Sequence, residues 1–216
     1  SAAACFNQKL HTAGNKYSIS YQISGQGSAY KSYTGTFSIS GNESFQGIGG
    51  LVDVYSDESY SGSTTFGFKA QSYYSPDTSS GVKYYGGLTL SSDGGSAIQE
   101  VVSPYFSTQF LLKVGASVQE TYQYRQTTYD SKGVRKSGPT TLPPTSATYT
   151  FSGFEDVVTA VGTIKSACKF QINYSDGQVD QQWYSQNTGL LVKSVTGNSI
   201  TTILSGASIN GAVANN

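Results

Sequence analysis

An all-β fold, an internally duplicated antiparallel sheet forming a half-open barrel or sandwich with little helix, is what this chain predicts, and three observations carry that expectation. Aromatic and aliphatic side chains recur at every second position, first at Tyr17, Ile19, Tyr21 and Ile23, which an extended chain places on one face. No apolar period of 3.6 persists over three turns, while clusters of Gly, Ser, Asn and Asp punctuate the chain at short intervals. The chain also repeats itself. Residues 71–87 (QSYYSPDTSSGVKYYGG) and 181–197 (QQWYSQNTGLLVKSVTG) align at a constant offset of 110, pairing Gln71 with Gln181, Tyr74 with Tyr184, Ser75 with Ser185, Thr78 with Thr188, Val82 with Val192, Lys83 with Lys193 and Gly87 with Gly197.

Taken in order, residues 1–14 show no period, include the single histidine, His11, and read as an arm. The first strand, 17–23, is followed by a Gly/Ser turn and a second strand over 34–39. A short strand over 51–55 is closed by Ser56-Asp57. Strands over 63–74 and 82–90 form a hairpin around Ser75-Pro76-Asp77, where Pro presets φ and Asp can bond back to the turn, and 91–95 is another turn. Residues 101–112 are the join at which the second copy begins. Gly14, Tyr21 and Gln22 match Gly115, Tyr122 and Gln123 at an offset of 101, and VYSD at 54–57 matches NYSD at 173–176 at an offset of 119. The second copy therefore opens with a strand over 118–125. A basic tip and Pro139, Pro143 and Pro144 mark 127–145 as an inserted loop. Strands then follow over 147–152, 156–161, 167–174, 178–184, 190–195 and 199–204, and the small polar tail should fray. The result is one domain with repeat halves over about 6–98 and 105–205 and a flexible tail over 206–216. Phe37, Val54, Phe170, Ile172, Trp183, Leu191 and Val192 are the expected core.

Composition excludes several functions. Lys plus Arg and Asp plus Glu each number 13, so no electrostatic footprint for nucleic acid exists. Charged residues make up only 12%, with 17 Tyr and no Met, against the quarter or so usual in cytosolic domains. That balance predicts an exported chain without its initiator: periplasmic, outer-membrane-anchored or secreted. No apolar run reaches the length of a transmembrane helix. Two cysteines, Cys5 and Cys168, suit a disulfide tying the arm to a strand, and the competing reading lipidates Cys5 and leaves Cys168 a buried thiol.

Residues 105–205 resemble a family of exported Gram-negative bacterial proteins and lipoproteins of uncharacterised function. The resemblance rests on Leu112-Lys113-Val114-Gly115 before a Tyr-alternating strand, on VVTAVGT at 157–163 running into Cys168-Lys169-Phe170, and on Trp183-Tyr184 before Gly189-Leu190-Leu191-Val192-Lys193. Asn187-Thr188 departs from the expected small-Gly turn, and the first half diverges. The resemblance implies a half-open barrel related to the lipoprotein carrier LolA and its mycobacterial lipid-binding relatives, an envelope location and an apolar cavity. It brings no catalytic residues.

The chemistry of catalysis finds little here. His11 has no acidic neighbour in sequence and reads as a surface bystander, and no Gly-x-Ser-x-Gly elbow is present. Asp53, Asp57 and Glu58 straddle a strand end, and Glu155 and Asp156 face opposite sides of a strand, so neither a metal site nor a carboxylate pair is expected. No cofactor and no enzymatic activity are expected. The remaining signal is aromatic. Tyr73, Tyr74, Tyr84, Tyr85, Trp183 and Tyr184 flank the two copies of the repeat and are the candidate ligand-facing rings. Adjacent strand residues face opposite ways, so one ring of each doublet points inward, and the expected inward ring of the second doublet is Trp183. The leading functional expectation is a non-enzymatic envelope or secreted protein binding lipid or another apolar ligand. The alternative is an extracellular interaction module, an adhesin or carbohydrate-binding surface, with a hydrolase of unfamiliar design a distant third.

Overall fold

A computed structural model describes residues 1–77, 81–91 and 95–214. The strands are β1 (Lys16–Gly25), β2 (Tyr30–Phe45), β3 (Ile48–Gly62), β4 (Thr65–Asp77), β5 (Gly81–Ser91), β6 (Ser96–Ser107), β7 (Ser117–Asp130), β8 (Arg135–Thr141), β9 (Thr145–Thr159), β10 (Gly162–Tyr174), β11 (Val179–Tyr184), β12 (Leu191–Thr196), β13 (Ile200–Ile209) and β14 (Ala212–Val213). Each pairs antiparallel with its neighbour in sequence, except that β8 pairs only with β7, and β9 takes up the other half of that β7 edge. β1 also pairs with β13, from Tyr17↔Ile209 to Gly25↔Ile200. That pairing closes twelve strands into a barrel, with β8 and β14 as additions, so neither a half-open barrel nor a sandwich describes the fold. A closed ring leaves no edge among its twelve strands for another chain to pair with.

The period-two pattern sets which side faces in. In the β1–β2 pair, Tyr17 opposes Phe37 and Tyr21 opposes Tyr33, and these rings meet at centroid distances of 4.5 Å and 5.7 Å. Gly35 lies between Tyr33 and Phe37 on β2, and a Cβ there would come 2.6 Å from the Tyr33 hydroxyl and 2.8 Å from the Phe37 ring. The alternate residues, Ser18 opposite Thr36 and Ser20 opposite Thr34, form the outer face. On these two strands the outer face is polar. Among the described residues no helix is long and apolar enough to cross a membrane.

Several strand boundaries differ from the sequence expectation. Ser56 and Asp57, expected to end a short strand, lie in the middle of β3. Ser56 Oγ and Tyr33 Oη both donate to the Glu58 carboxylate at 2.6 Å, so a strand that reads as a turn carries a satisfied polar group beneath the sheet. The expected join at 101–112 is largely β6. Residues 147–152 and 156–159 belong to one strand, β9, bent by a bulge at its pairing with Lys169 and Phe170, and 160–161 form the turn after it. Gly206–Ile209, expected in a flexible tail, are the second half of β13 and pair with β1 to close the ring. Ser75-Pro76-Asp77, expected as a hairpin turn, instead lie in β4 and pair with Lys83, Val82 and Gly81 of β5, while 78–80 and most of the expected turn over 91–95 lie outside the described residues.

The core is divided. Tyr21, Tyr33, Val157, Ile164, Ala167, Trp183, Val192 and Leu204 form one cluster. Phe110, Phe151, Phe170 and the two cysteines form another, and Ile39, Val52 and Val54 a third. Of the expected core, Val54, Phe170, Ile172, Trp183 and Val192 are buried, while Phe37 and Leu191 are only partly so because they border the interior space described next.

The candidate functional site, a cavity inside the barrel

Twelve strands enclose more room than their side chains fill. A cavity of about 590 Å³, partly open to solvent, runs through the lumen and is lined mostly by rings and aliphatic groups. Tyr17, Ile19 and Tyr21 reach it from β1, Phe37 from β2, Tyr74 from β4, Val82 and Tyr84 from β5, Phe106 from β6, Tyr124 from β7, and Tyr184 and Leu191 from β11 and β12. The N-terminal arm supplies the rest of one wall.

The arm is ordered as two 3-10 turns, Ala2–Cys5 and Gln8–His11. Ala2 N donates to Leu112 O at 2.9 Å, and Ala2, Cys5 and Leu10 are buried. Cys5 and Cys168 are joined by a disulfide with Cα atoms 6.2 Å apart, so both sulfurs are engaged and lipidation of Cys5 would require the bridge to be absent. Asn7 Nδ2 donates to Thr188 O at 2.8 Å, and Gly189, at φ +71°, leaves room for Asn7 where a Cβ would clash.

His11, expected on the surface, is instead a cavity wall. Its ring stacks on Phe6 at 6.1 Å and meets Tyr74 at 5.1 Å. Burial without an acidic partner lowers its pKa to about 4, so the imidazole is neutral at ordinary pH. Nδ1 is buried and has no hydrogen-bond partner among the described residues. Sequence position could not reveal this, because the arm's own composition does not say where the disulfide and the 3-10 turns carry it.

The six candidate rings divide evenly. Tyr74, Tyr84 and Tyr184 line the cavity, and burial raises the pKa of all three, Tyr74 to about 12. The other three do not line it. Tyr73 stacks on Phe45 at 4.5 Å, Tyr85 meets Tyr105 edge-on at 5.9 Å, and Trp183 is buried at 2% exposure on the face of β11 opposite Tyr184. Trp183 is therefore core, as expected, but the ring of this doublet that reaches the cavity is Tyr184. Cross-strand pairing sets Lys169 and Lys193 on either side of Trp183, with ammonium nitrogens 5.0 Å and 4.6 Å from its ring. The indole N–H has no partner of good hydrogen-bond geometry. Glu155, salt-bridged to Lys169 at 2.8 Å, is held below the usual carboxylate range first by that lysine and also by the nearby indole.

Of the three sequence matches between the halves, two have members in corresponding places. Tyr74 and Tyr184 line the same cavity, and Val82 and Val192 are both buried. Gly14 and Gly115 both have positive φ, and their N–H groups donate to Ile39 O on β2 and Phe151 O on β9. The third match is out of step, since Val54 is core while Asn173 faces away from its buried neighbours Phe170 and Ile172.

No group of three or more potential metal ligands exists among the described residues. No family model, curated protein or solved structure matches this chain.

Proposed function

We propose that this chain is an exported, non-catalytic binding protein that holds an apolar ligand, such as a lipid acyl chain, inside its barrel. The observation that carries this reading is the lumenal cavity, whose 590 Å³ falls in the range of small-molecule sites and whose walls are mostly rings and aliphatic groups. The disulfide fits an oxidising compartment outside the cytosol. The same reading takes the barrel as a tandem copy of six strands, β1 to β6 corresponding to β7 and β9 to β13, with β8 inserted. A surface that binds carbohydrate or another protein through exposed rings is less well supported, because Tyr73 and Tyr85 already pack on protein rings and Trp183 is buried.

The test is binding of the uncharged dye N-phenyl-1-naphthylamine to delipidated protein, with native mass spectrometry of the protein as purified. Saturable dye binding that falls at least tenfold in Ile19→Trp, a cavity-filling change, is the expected result. Absence of binding in the wild type, or full binding in a folded Ile19→Trp protein, refutes the reading.

A further inference from the structure

Resting on the reading of the cavity as a ligand site, the geometry points to the class of ligand: an uncharged lipophile bearing one oxygen acceptor, a ketone, ester or alcohol, held by that oxygen at His11, with carboxylates and phosphates excluded.

Three observations lead there. None of the residues lining the cavity is Lys, Arg, Asp or Glu. An ionised headgroup drawn into this space would lose its water without gaining a counter-charge, which is strongly unfavourable. Beyond burial, the negative charge of Glu100 helps raise the pKa of Tyr84 and Tyr124 in the wall, and that of Glu58 helps raise the pKa of Tyr17 and Tyr74. Glu58 accepts from Tyr33 and Ser56 and would repel an anionic ligand.

Several polar side chains of the wall are already bonded within the protein. Tyr21 Oη donates to Leu191 O and Tyr184 Oη to Gln182 Oε1, each at 2.8 Å. The Tyr74 and Tyr84 rings meet each other at 5.2 Å and the Tyr124 ring meets Tyr122 at 5.6 Å. Asn7 and Thr108 bond to backbone groups. Among the described residues of the wall, His11 is the one with a buried polar atom that has no partner.

The orientation of His11 then selects the complementary group. Nδ1 is sealed from solvent, so Nε2 is the nitrogen the ring can offer to the cavity. A bare lone pair at sealed Nδ1 costs less than a buried, unpaired N–H, so the proton sits on Nε2. The site therefore presents a donor, and a ligand oxygen accepts from it. Fixed between Phe6 and Tyr74, the imidazole is oriented in advance for that bond.

The experiment displaces N-phenyl-1-naphthylamine from the full chain at pH 8 with 2-undecanone, 1-undecanol, undecane, undecanoate and undecylamine, in the wild type and in His11→Phe. The ketone and the alcohol should bind at least tenfold more tightly than the carboxylate or the amine. In His11→Phe, which keeps a stacked ring, ketone binding should weaken about fivefold, the usual yield of one neutral hydrogen bond, while undecane changes less than twofold. Equal or tighter binding of undecanoate or undecylamine overturns the inference, as does an unchanged ketone affinity in a folded His11→Phe protein. If that variant does not fold, the wild-type ranking alone decides. Dye binding with the wrong ranking refutes only the ligand class, whereas no binding of any probe removes the cavity reading with it.

Discussion

Cutting the bridge between Cys5 and Cys168 should both destabilise the protein and open its cavity. The two residues are 163 positions apart, so the disulfide closes a loop spanning most of the chain. Chain-entropy reasoning puts the stabilisation from a loop of that length at about 5 kcal/mol as a ceiling, and natural bridges commonly deliver about 2 to 5 kcal/mol. The second consequence is local. Without the bridge the arm is held chiefly by burial of Ala2 and Leu10 and by the bonds from Ala2 to Leu112 and from Asn7 to Thr188. These groups form one side of the cavity, so the arm should open more often and admit probe faster. A Cys5→Ser/Cys168→Ser protein should unfold in urea with a midpoint lowered by about 1 to 2 M, given a slope of about 2 to 3 kcal/mol/M. Its N-phenyl-1-naphthylamine association rate should rise, and the first dozen residues should be cut by protease before the barrel. The reasoning is refuted if the double variant matches the oxidised wild type in midpoint, association rate and cleavage pattern.

Acid should weaken the arm through His11. Its folded pKa, about 4, lies below the unfolded value of 6.5, so the contribution is intact above pH 6.5 and is lost as pH falls towards 4, by up to about 3 kcal/mol. Urea midpoints recorded from pH 7.5 to 4.5 should fall more steeply in the wild type than in His11→Phe, and parallel curves would contradict this. Asp53 is buried at 5% exposure, Gln71 bonds one of its oxygens, and the other has no partner. Burial raises its pKa, so ionisation costs stability as pH rises from about 4 through the raised value. Asp53→Asn should therefore have the higher melting temperature at pH 7, with the advantage vanishing below pH 4, and a lower melting temperature at pH 7 would sink the argument. At Gly189, φ is +71° and a Cβ would strike Asn7, so Gly189→Val should displace the arm. Thermal unfolding should show a loss of about 1 to 3 kcal/mol, together with faster probe entry. A variant as stable as the wild type would show that the arm does not depend on this contact.

Much of this molecule follows from period and spacing. The alternation at Tyr17 to Ile23 specifies a strand and its inner face, because successive side chains must leave an extended backbone on opposite sides. The repeat at 71–87 and 181–197 marks Tyr74 and Tyr184 as a pair, and both reach the one cavity. The ring doublets likewise promise one inward member each. Which member turns in is not local information, since it depends on the bulges beside Tyr74 and Tyr84 and on the pairing of Trp183 with Lys169 and Lys193. Ser56 and Asp57 have the composition of a turn, and only the Glu58 carboxylate two residues along β3, itself bonded by Tyr33 from across the sheet, makes Ser56 suitable for a buried strand.

Strand identity and the inner face of β1 were thus determined by the sequence itself, because the pleat acts over two or three residues. Closure of the ring, the space inside it and the burial of His11 were decided only in three dimensions. Closure needs residues 17–25 to meet 200–209, and His11 reaches the lumen because a disulfide to residue 168 draws the arm in. Those contacts join positions more than 150 residues apart, and their free energy exists only once the whole barrel has formed.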